Sequence, residues 1–341
     1  MALPALIEIV PLTAPVRAEI TVPGSKSITN RALILAALAE GEVTLKGALW
    51  SEDTEAMFDC LQKLGFEIRK QDDPDELCNR TITVNGLGGK IPNGGTAEKP
   101  LELFVGNAGT AARFLAAFVC LGHGVYRLSG VARMHERPQA ALFAALRELG
   151  YRIEAEHEND KLPARIYGAG PKKGKCRVSI EESSQFASAL LLSARYGCWD
   201  VEITGENMDE SSYVQLTKGM MPPFEQFKTF NYPIEPDASS ASYFKAAGWL
   251  LAPHSTDAMN VVRVKEPEGA RLLQLDIMFI NFFRWANYIG WIEGDIKSSK
   301  VTKISRLNNL ADSIMTAIVM IPFADHEIQF TDLGRLRVQV L

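Results

Sequence analysis

The chain has 341 residues, of which 47% are hydrophobic, and its formal net charge is −5. This length suggests about two domains, since domains average roughly 150 residues, and the composition is typical of a globular protein with a sizeable core. The negative net charge disfavours nucleic acid as a partner, because binding to its phosphates requires a basic face. No apolar run reaches the roughly 18 residues that a membrane helix needs, so we expect no membrane insertion.

The metal-binding residue types are dispersed. Five cysteines and five histidines are scattered, with no CxxC pair and no two histidines three or four residues apart. The sequence therefore gives no support for a metal site. Unpaired thiols, together with an N-terminal segment that lacks a basic region, predict a cytoplasmic protein with reduced cysteines. The apolar segment 1–15 favours a strand over a signal peptide.

An apolar helix that begins at small polar residues recurs along the chain. The stretches 25–47, 107–130 and 183–205 each contain such a helix, followed by a turn and a strand. Related stretches begin at Asp237 and Asn308. Between them lies a second pattern, at 58–68, 143–153 and 283–292, in which a helix ends at a glycine and a strand follows. Gly65, Gly150 and Gly290 fit the left-handed residue that closes a helix. Together the two patterns predict an α/β protein of repeated units, although helix–glycine–strand segments are common in any α/β fold.

Cationic side chains lie in or near several of these helix beginnings. Lys26 and Arg31 belong to the first, Arg113 to the second, and Arg133 and Arg137 follow in RMHERP. A helix N-terminus carries free N–H groups and partial positive charge, so an added cation makes an anion site. Simple capping by Ser, Thr and Asn is the alternative. Gly109 would let a ligand approach the backbone closely. The pattern indicates a small, multiply anionic ligand.

Several long stretches resemble the enolpyruvyl transferases, in particular the family of 5-enolpyruvylshikimate-3-phosphate synthases. They include PGSKSITNRALILAALAEG, SEDTEAMFDCLQKLG, LFVGNAGTAARFLAA, RMHERPQAALFAALRELG, SSQFASALLLSA, SYVQLT and DASSASYF, in order from residue 23 to about residue 250. The resemblance implies an α/β (α+β) fold of two domains, an inside-out barrel of repeated βαβαββ units. Residues 22–236 would form the first half. Residues 1–21 and 237–341 would form the second, which is expected to be incomplete.

The resemblance also implies a reaction. The enolpyruvyl group of phosphoenolpyruvate would pass to the 5-hydroxyl of shikimate 3-phosphate by addition and elimination, with release of phosphate. The family needs no metal or organic cofactor and is usually monomeric, so we expect small-molecule substrates, no cofactor and a monomer.

Family motifs assign roles to individual positions. Lys26 is expected to contact both substrates, and Asn107, Gly109 and Arg137 are expected to receive phosphoenolpyruvate, with Thr110 and Arg113 supporting that loop. The residues expected to hold shikimate 3-phosphate are Lys26, Ser27, Arg31, Ser183, Ser184, Gln185, Tyr213 and Ser211 or Ser212. Structural alternatives remain: Ser183 and Ser184 as helix caps, Arg113 as a buried ion-pair partner and Arg31 as a solvated helix residue.

The resemblance weakens toward the C-terminus. Arg306 stands where the family has the aspartate that serves as general base, and a guanidinium cannot accept a proton. Val340 stands where a proton-carrying glutamate is expected, and the segment between Tyr213 and Asp237 is shorter than in the family. Gln274 and Asp276 stand where the family often has a similar pair of residues.

Three interpretations follow. The chain is a transferase of the shikimate pathway with reduced activity, a relative that binds shikimate 3-phosphate without chemistry, or a fragment.

Overall fold

The computed structural model describes residues 8, 18–74, 76–205, 208–251, 262–264, 272–279, 281–282, 302–324, 327–334 and 336. For residues 206–211 it describes no side chains. Three of the sequence predictions lie outside these ranges: the strand at 1–15, the helix end at Gly290 and the role of the Val340 position.

Helices and strands alternate through most of the chain. The helices are α1 (Lys26–Leu38), α2 (Glu52–Lys63), α3 (Gly109–Phe118), α4 (Ala132–Glu136), α5 (Ala140–Glu148), α6 (Ser184–Gly197), α7 (Met208–Gln226), α8 (Ala238–Leu251) and α9 (Ile314–Met320). The strands are β1 (Ala18–Ile20), β2 (Glu40–Leu49), β3 (Ile68–Asp72), β4 (Asn79–Leu87), β5 (Leu101–Phe104), β6 (His123–Ser129), β7 (Arg152–Ala155), β8 (Ala164–Ala169), β9 (Gly174–Ser179), β10 (Trp199–Thr204), β11 (Phe230–Pro233), β12 (Val262–Val264), β13 (Thr302–Ser305) and β14 (Ile328–Thr331).

Two four-stranded sheets share one topology, which confirms the predicted repetition. One has the order β5-β6-β8-β7, with β5 and β6 parallel and the other pairs antiparallel. The other has the order β11-β2-β4-β3, again with one parallel pair and two antiparallel pairs. Its β11 comes from the end of the third unit, in which β9 and β10 pair in parallel. This third unit is short, because α7 leads directly to β11 within residues 208–233.

The helices α1, α3 and α6 lie at the centre of this part of the fold. All ten residues of α3 are buried, and 11 of the 13 residues of α1 are buried. A helix that is apolar on all sides is expected in an interior. The alanine-rich faces permit close packing, and the three helices contact one another. The polar residues lie at the N-terminus of each helix. They are therefore held in place by the packing of the buried helices that follow them.

Gly65 and Gly150 close α2 and α5 as predicted. Both have positive φ, +92° and +83°. After each glycine, the next N–H donates to the carbonyl five residues earlier, from Phe66 to Leu61 and from Tyr151 to Leu146. This is the Schellman arrangement, which satisfies carbonyls at the helix end and turns the chain into a strand.

Gly150→Ala is expected to lower the free energy of unfolding by about 1 kcal/mol, because an L side chain is strained in the left-handed region. A Cβ at Gly150 would meet nothing closer than 3.9 Å, so the loss measures backbone strain alone. At Gly65 a Cβ would lie 2.8 Å from the Pro92 Cβ, so Gly65→Ala should cost more. Urea denaturation of both variants checks this. An unchanged midpoint for Gly150→Ala, or the reverse ranking, would contradict it.

The buried apolar residues form two separate clusters. The larger runs from Ile28 to Ile234, and the smaller contains residues from Ala246 to Met320. Strand β1 pairs in parallel with β12, so residues 18–20 join a later part of the chain. The domain boundary at residue 236 stays a prediction. Within the described ranges, no helix combines the length and the apolar character that a bilayer crossing requires.

Candidate active site

The N-terminus of α1 begins the site. Ser25 precedes the helix but its side chain makes no capping hydrogen bond, so capping does not explain this polar beginning. Lys26 is half exposed, and its Nζ lies 3.2 Å from Oδ2 of Asp53 at the start of α2. Ser27 is partly exposed and lines a cavity beside the helix end. The free N–H groups and Lys26 together leave this end electropositive.

Arg31 lies beneath that helix end and is 1% exposed. Its guanidinium donates to Thr217 Oγ1 (2.8 Å), to the Ser27 carbonyl (2.9 Å) and to Ser188 Oγ (3.1 Å). It also lies over the Phe114 ring at 5.2 Å. Burial lowers the pKa of Arg31 to about 10, so it stays charged at neutral pH. The alternative that Arg31 is a solvated helix residue is wrong.

The N-terminus of α3 carries a second cation directly above its backbone. Ala108 provides no side-chain cap, so here too the polar beginning is not a capping device. The Arg137 guanidinium lies over Gly109, where an added Cβ would be 2.5 Å from Arg137 Cζ. Arg137 Nη1 donates to the Asn107 carbonyl at 3.0 Å. The group that needs the space above Gly109 is therefore Arg137 itself. Desolvation lowers the pKa of Arg137, and Asp53 opposes that shift.

Arg113 links α3 to α6. It is 3% exposed, and its Nη1 donates to Gln185 Oε1 at 2.7 Å while Nη2 donates to the Pro138 carbonyl at 3.1 Å. These acceptors are neutral, so the hydrogen bonds of Arg113 do not form the buried ion pair considered above. Burial, together with the charge of Arg137, lowers the pKa of Arg113 to about 9.

The N-terminus of α6 is capped. Ser183 Oγ accepts the Gln185 N–H at 3.2 Å, and Ser184 is buried. Capping is thus a demonstrated role of Ser183, and its contact with a ligand stays a prediction. Thr110 is 8% exposed at the start of α3. Ser211 belongs to α7, but its side chain lies outside the described part, whereas Ser212 lines the same cavity as Ser27.

We call Lys26, Arg31, Arg113 and Arg137 the cation cluster. Hydrogen bonds and charge interactions hold it together. Arg31 donates hydrogen bonds to residues of α6 and α7, and Arg113 donates one to α6. Asp53 pairs with Lys26, and its charge opposes the desolvation that lowers the pKa of Arg137. Four cations with few carboxylates among them favour a ligand with several negative charges.

We call the adjoining space the carboxylate cavity. Its lining includes Lys26, Ser27, Ser212, Tyr213, Asp237, Asp276 and Asp312. Tyr213 OH donates to Asp312 Oδ2 at 3.3 Å. Burial raises the pKa of Tyr213 above its usual range, and the charges of Asp312 and Asp276 raise it further. Tyr213 is therefore a neutral hydrogen-bond donor at physiological pH.

Arg306 is 5% exposed and forms an ion pair with a carboxylate. Its Nη2 lies 3.0 Å from Asp312 Oδ1. The position expected to hold a base thus holds a cation that is engaged in an ion pair. Nearby, Asp276 Oδ1 accepts the Ser313 N–H at 2.7 Å.

Burial, together with the charges of Asp312 and Asp237, raises the pKa of Asp276 to about 7. An unfolded aspartate titrates near about 3.9. Between these values the folded chain holds more protons than the unfolded chain. The contribution of Asp276 to the free energy of unfolding therefore falls as the pH rises through this range.

Some residues of the site were not assigned from the sequence. Asp53 lies in a stretch quoted for its resemblance, yet nothing in its local pattern indicates a contact with Lys26. Ser188 and Thr217 have the sequence context of ordinary helix residues, and no role was assigned to Asp312. Among the residues that the structure describes, no group of His, Cys, Asp or Glu is arranged to hold a metal ion.

A family model for EPSP synthase (3-phosphoshikimate 1-carboxyvinyltransferase) matches residues 11–341. A 3-phosphoshikimate 1-carboxyvinyltransferase of Trichormus variabilis is 42% identical over 71% of this chain and 58% of its own length. One from Nostoc punctiforme is 34% identical over 97% of this chain and 79% of its own length. The match thus spans less than three fifths of the Trichormus relative and of a second one, from a Nostoc species, that is 59% covered.

Solved structures show the same architecture. An EPSP synthase from Acinetobacter baumannii superposes with a TM-score of 0.56 at 22% identity, covering 69% of this chain and 53% of that one. The enolpyruvyl transferase NikO from Streptomyces tendae also gives a TM-score of 0.56, at 15% identity, covering 92% of this chain and 74% of that one. The predicted inside-out α/β fold is confirmed, and the chain belongs to the EPSP synthase family.

Proposed function

We propose that the chain transfers the enolpyruvyl group of phosphoenolpyruvate to the 5-hydroxyl of shikimate 3-phosphate and releases phosphate, at a reduced rate. This is the reaction named for its relatives. It would place the protein in the shikimate pathway, which leads to the aromatic amino acids. We further propose that it acts as a cytoplasmic monomer, on the strength of the family's usual state and the scattered cysteines.

The cation cluster is the observation that supports this most directly. Both substrates carry a phosphate and a carboxylate, so a productive complex holds several negative charges within a small volume. The N-termini of α1 and α3 add their own partial positive charge to Lys26 and Arg137. Because Arg31 and Arg113 are fixed by hydrogen bonds in the interior, they need no reorganisation when an anion arrives.

We propose the following division of the site. Phosphoenolpyruvate lies against Asn107, Gly109 and Arg137, and shikimate 3-phosphate lies against Ser27, Tyr213 and the N-terminal end of α6. Lys26 stands between the two and contacts both. Ser183, Ser184, Gln185 and Ser211 complete the assignment of shikimate 3-phosphate contacts, and Arg31 supplies charge from beneath.

A second candidate function is capture of shikimate 3-phosphate without chemistry. The observation that favours it is Arg306, which is buried and paired with Asp312 at the position expected to hold the general base. Loss of one general base typically lowers a rate by about 10²- to 10⁴-fold. Positioning and electrostatic stabilisation would remain, so a slow reaction is expected rather than none.

Phosphate release from the purified protein, given both substrates, tests the proposal. We expect slow release that falls at least about 100-fold in Lys26→Ala, because that change removes a charged contact to both substrates. Lys90→Ala, an exposed lysine outside the site, is the control and should behave as the wild type. Release that persists in Lys26→Ala would point to a contaminant. No release from the wild type, combined with saturable binding of shikimate 3-phosphate, would favour the second candidate.

A further inference from the structure

The substitution at Arg306 leaves a chemical question. The acceptor hydroxyl must lose its proton when its oxygen attacks, and a guanidinium cannot take it. Any replacement must be a group that can accept a proton and that borders the space beside the cation cluster. In the described part of the chain, the lining of the carboxylate cavity contains three such carboxylates: Asp237, Asp276 and Asp312.

Two of the three carboxylates already have other tasks. Asp312 has both oxygens engaged, Oδ1 by Arg306 at 3.0 Å and Oδ2 by the Tyr213 hydroxyl at 3.3 Å. Asp237 precedes α8, and its Oδ1 accepts the Ser240 N–H at 2.8 Å, as an N-cap does. Protonation of Asp312 would break an ion pair beside the buried Arg306, which is costly in a desolvated site.

Asp276 differs from Asp312 in its hydrogen-bond partner and from Asp237 in its burial. It is 9% exposed, whereas Asp237 is only partly buried, and it lines the cavity with Lys26 and Ser27. Its Oδ1 accepts a hydrogen bond from a backbone N–H rather than from a cation. Burial disfavours its charged form, and the carboxylates of Asp312 and Asp237 add to that effect, so its pKa rises to about 7. A general base is most effective when its pKa lies near the working pH.

Several charged or titratable groups face Asp276 from the elements around it. Asp312 and Asp237 raise its proton affinity. Lys26 lies across the cavity, and Tyr213 and Arg306 contact Asp312 from α7 and from the turn at 306–310. Arg306 thus balances the charge of Asp312, so a single further negative charge on Asp276 can be accommodated when it is deprotonated.

Resting on the proposed function, we propose that Asp276 accepts the hydroxyl proton of the acceptor substrate, the step that Arg306 cannot perform. In the addition, the 5-oxygen forms a bond to C2 of phosphoenolpyruvate, its O–H bond breaks and the proton passes to the Asp276 carboxylate. The electron pair of the C2–C3 double bond takes a proton from a water molecule at C3, and that water becomes hydroxide. In the elimination, the hydroxide takes a proton back from C3 and becomes water again, the double bond re-forms, and phosphate leaves C2 with the proton held by Asp276.

The test compares Asp276→Asn with Asp237→Asn. An asparagine keeps the shape of either side chain and can still accept the backbone N–H that each now holds, so both variants should fold. The measurements are kcat with both substrates from pH 5.5 to pH 8.5 and the dissociation constant of shikimate 3-phosphate by calorimetry. For the wild type we expect kcat to rise with pH up to about pH 7 and then level off.

In Asp276→Asn we expect kcat to fall by about 100-fold or more and the rise near pH 7 to disappear, with shikimate 3-phosphate affinity changed by less than about threefold. Asp237→Asn should keep the rise but move it to lower pH, because the charge of Asp237 no longer raises the pKa of Asp276. A wild type that turns over while Asp276→Asn retains its rate and its pH profile would overturn this inference and leave the proposed function intact. A wild type that binds shikimate 3-phosphate yet never releases phosphate would overturn both.

Discussion

Arg31→Met is expected to weaken shikimate 3-phosphate binding by about 10- to 100-fold, the equivalent of one lost charged interaction. Arg31 is the most deeply buried member of the cation cluster, and methionine fills the space of its aliphatic portion without the charge. The stability change should be smaller than the removal of a buried arginine suggests. The Thr217 hydroxyl lies 2.9 Å from both the Tyr213 carbonyl and Ser188 Oγ, so it can donate to the carbonyl and accept from the Ser188 hydroxyl when the guanidinium is gone.

Calorimetric titration with shikimate 3-phosphate, alongside urea denaturation, checks this prediction. Arg195→Met is the matched control, because Arg195 is half exposed on α6 and pairs with Glu225. It should change neither quantity appreciably. Unchanged affinity in Arg31→Met with a large loss of stability would mean that Arg31 only holds α1, α6 and α7 together.

Gly109→Ala is expected to lower phosphoenolpyruvate affinity by about tenfold or more, because the new methyl group displaces the Arg137 guanidinium from its place over the helix end. An added Cβ would lie 2.5 Å from Arg137 Cζ and 2.5 Å from Nη1. The end of a long side chain can move, so the fold should survive. Shikimate 3-phosphate binding, which relies on other residues in the proposed site, should change little.

A double-mutant cycle tests whether Gly109 acts through Arg137. Arg137→Ala alone should lose the same phosphoenolpyruvate affinity, and adding Gly109→Ala to it should cost little more, because the displaced group is already absent. Equilibrium titration with phosphoenolpyruvate in the presence of shikimate 3-phosphate measures all four proteins. Additive losses in the double variant would show that Gly109 acts independently of Arg137.

Local patterns predicted much of the fold. The apolar stretches of α1, α3 and α6 predicted buried helices, and Gly65 and Gly150 predicted helix ends, because these signals depend on residues a few positions apart. The two matching sheets follow from the same repeated order of elements. In α7, by contrast, the helix continues past Pro222 and Pro223 to Gln226, where the sequence alone would favour a stop.

The contacts that define the site could not be read in this way. Arg31 reaches Ser188 and Thr217 across 157 and 186 residues, and no short-range pattern encodes such a meeting. Family motifs predicted a binding role for Arg31, but a charged side chain near a helix start does not by itself indicate burial. Asp276 and Asp312 approach one another only once α9 and the turn before it are placed. The role of Arg306 as an ion-pair partner likewise depends on that packing.

The most direct test of the proposed binding site is a calorimetric titration of the wild-type protein with shikimate 3-phosphate at neutral pH, repeated with phosphoenolpyruvate present. We expect saturable binding at a single site, tighter when the second anion is present and weaker in Arg31→Met. No detectable heat at millimolar shikimate 3-phosphate, in a protein shown by circular dichroism to be folded, would contradict the claim that the cation cluster is a binding site for this ligand.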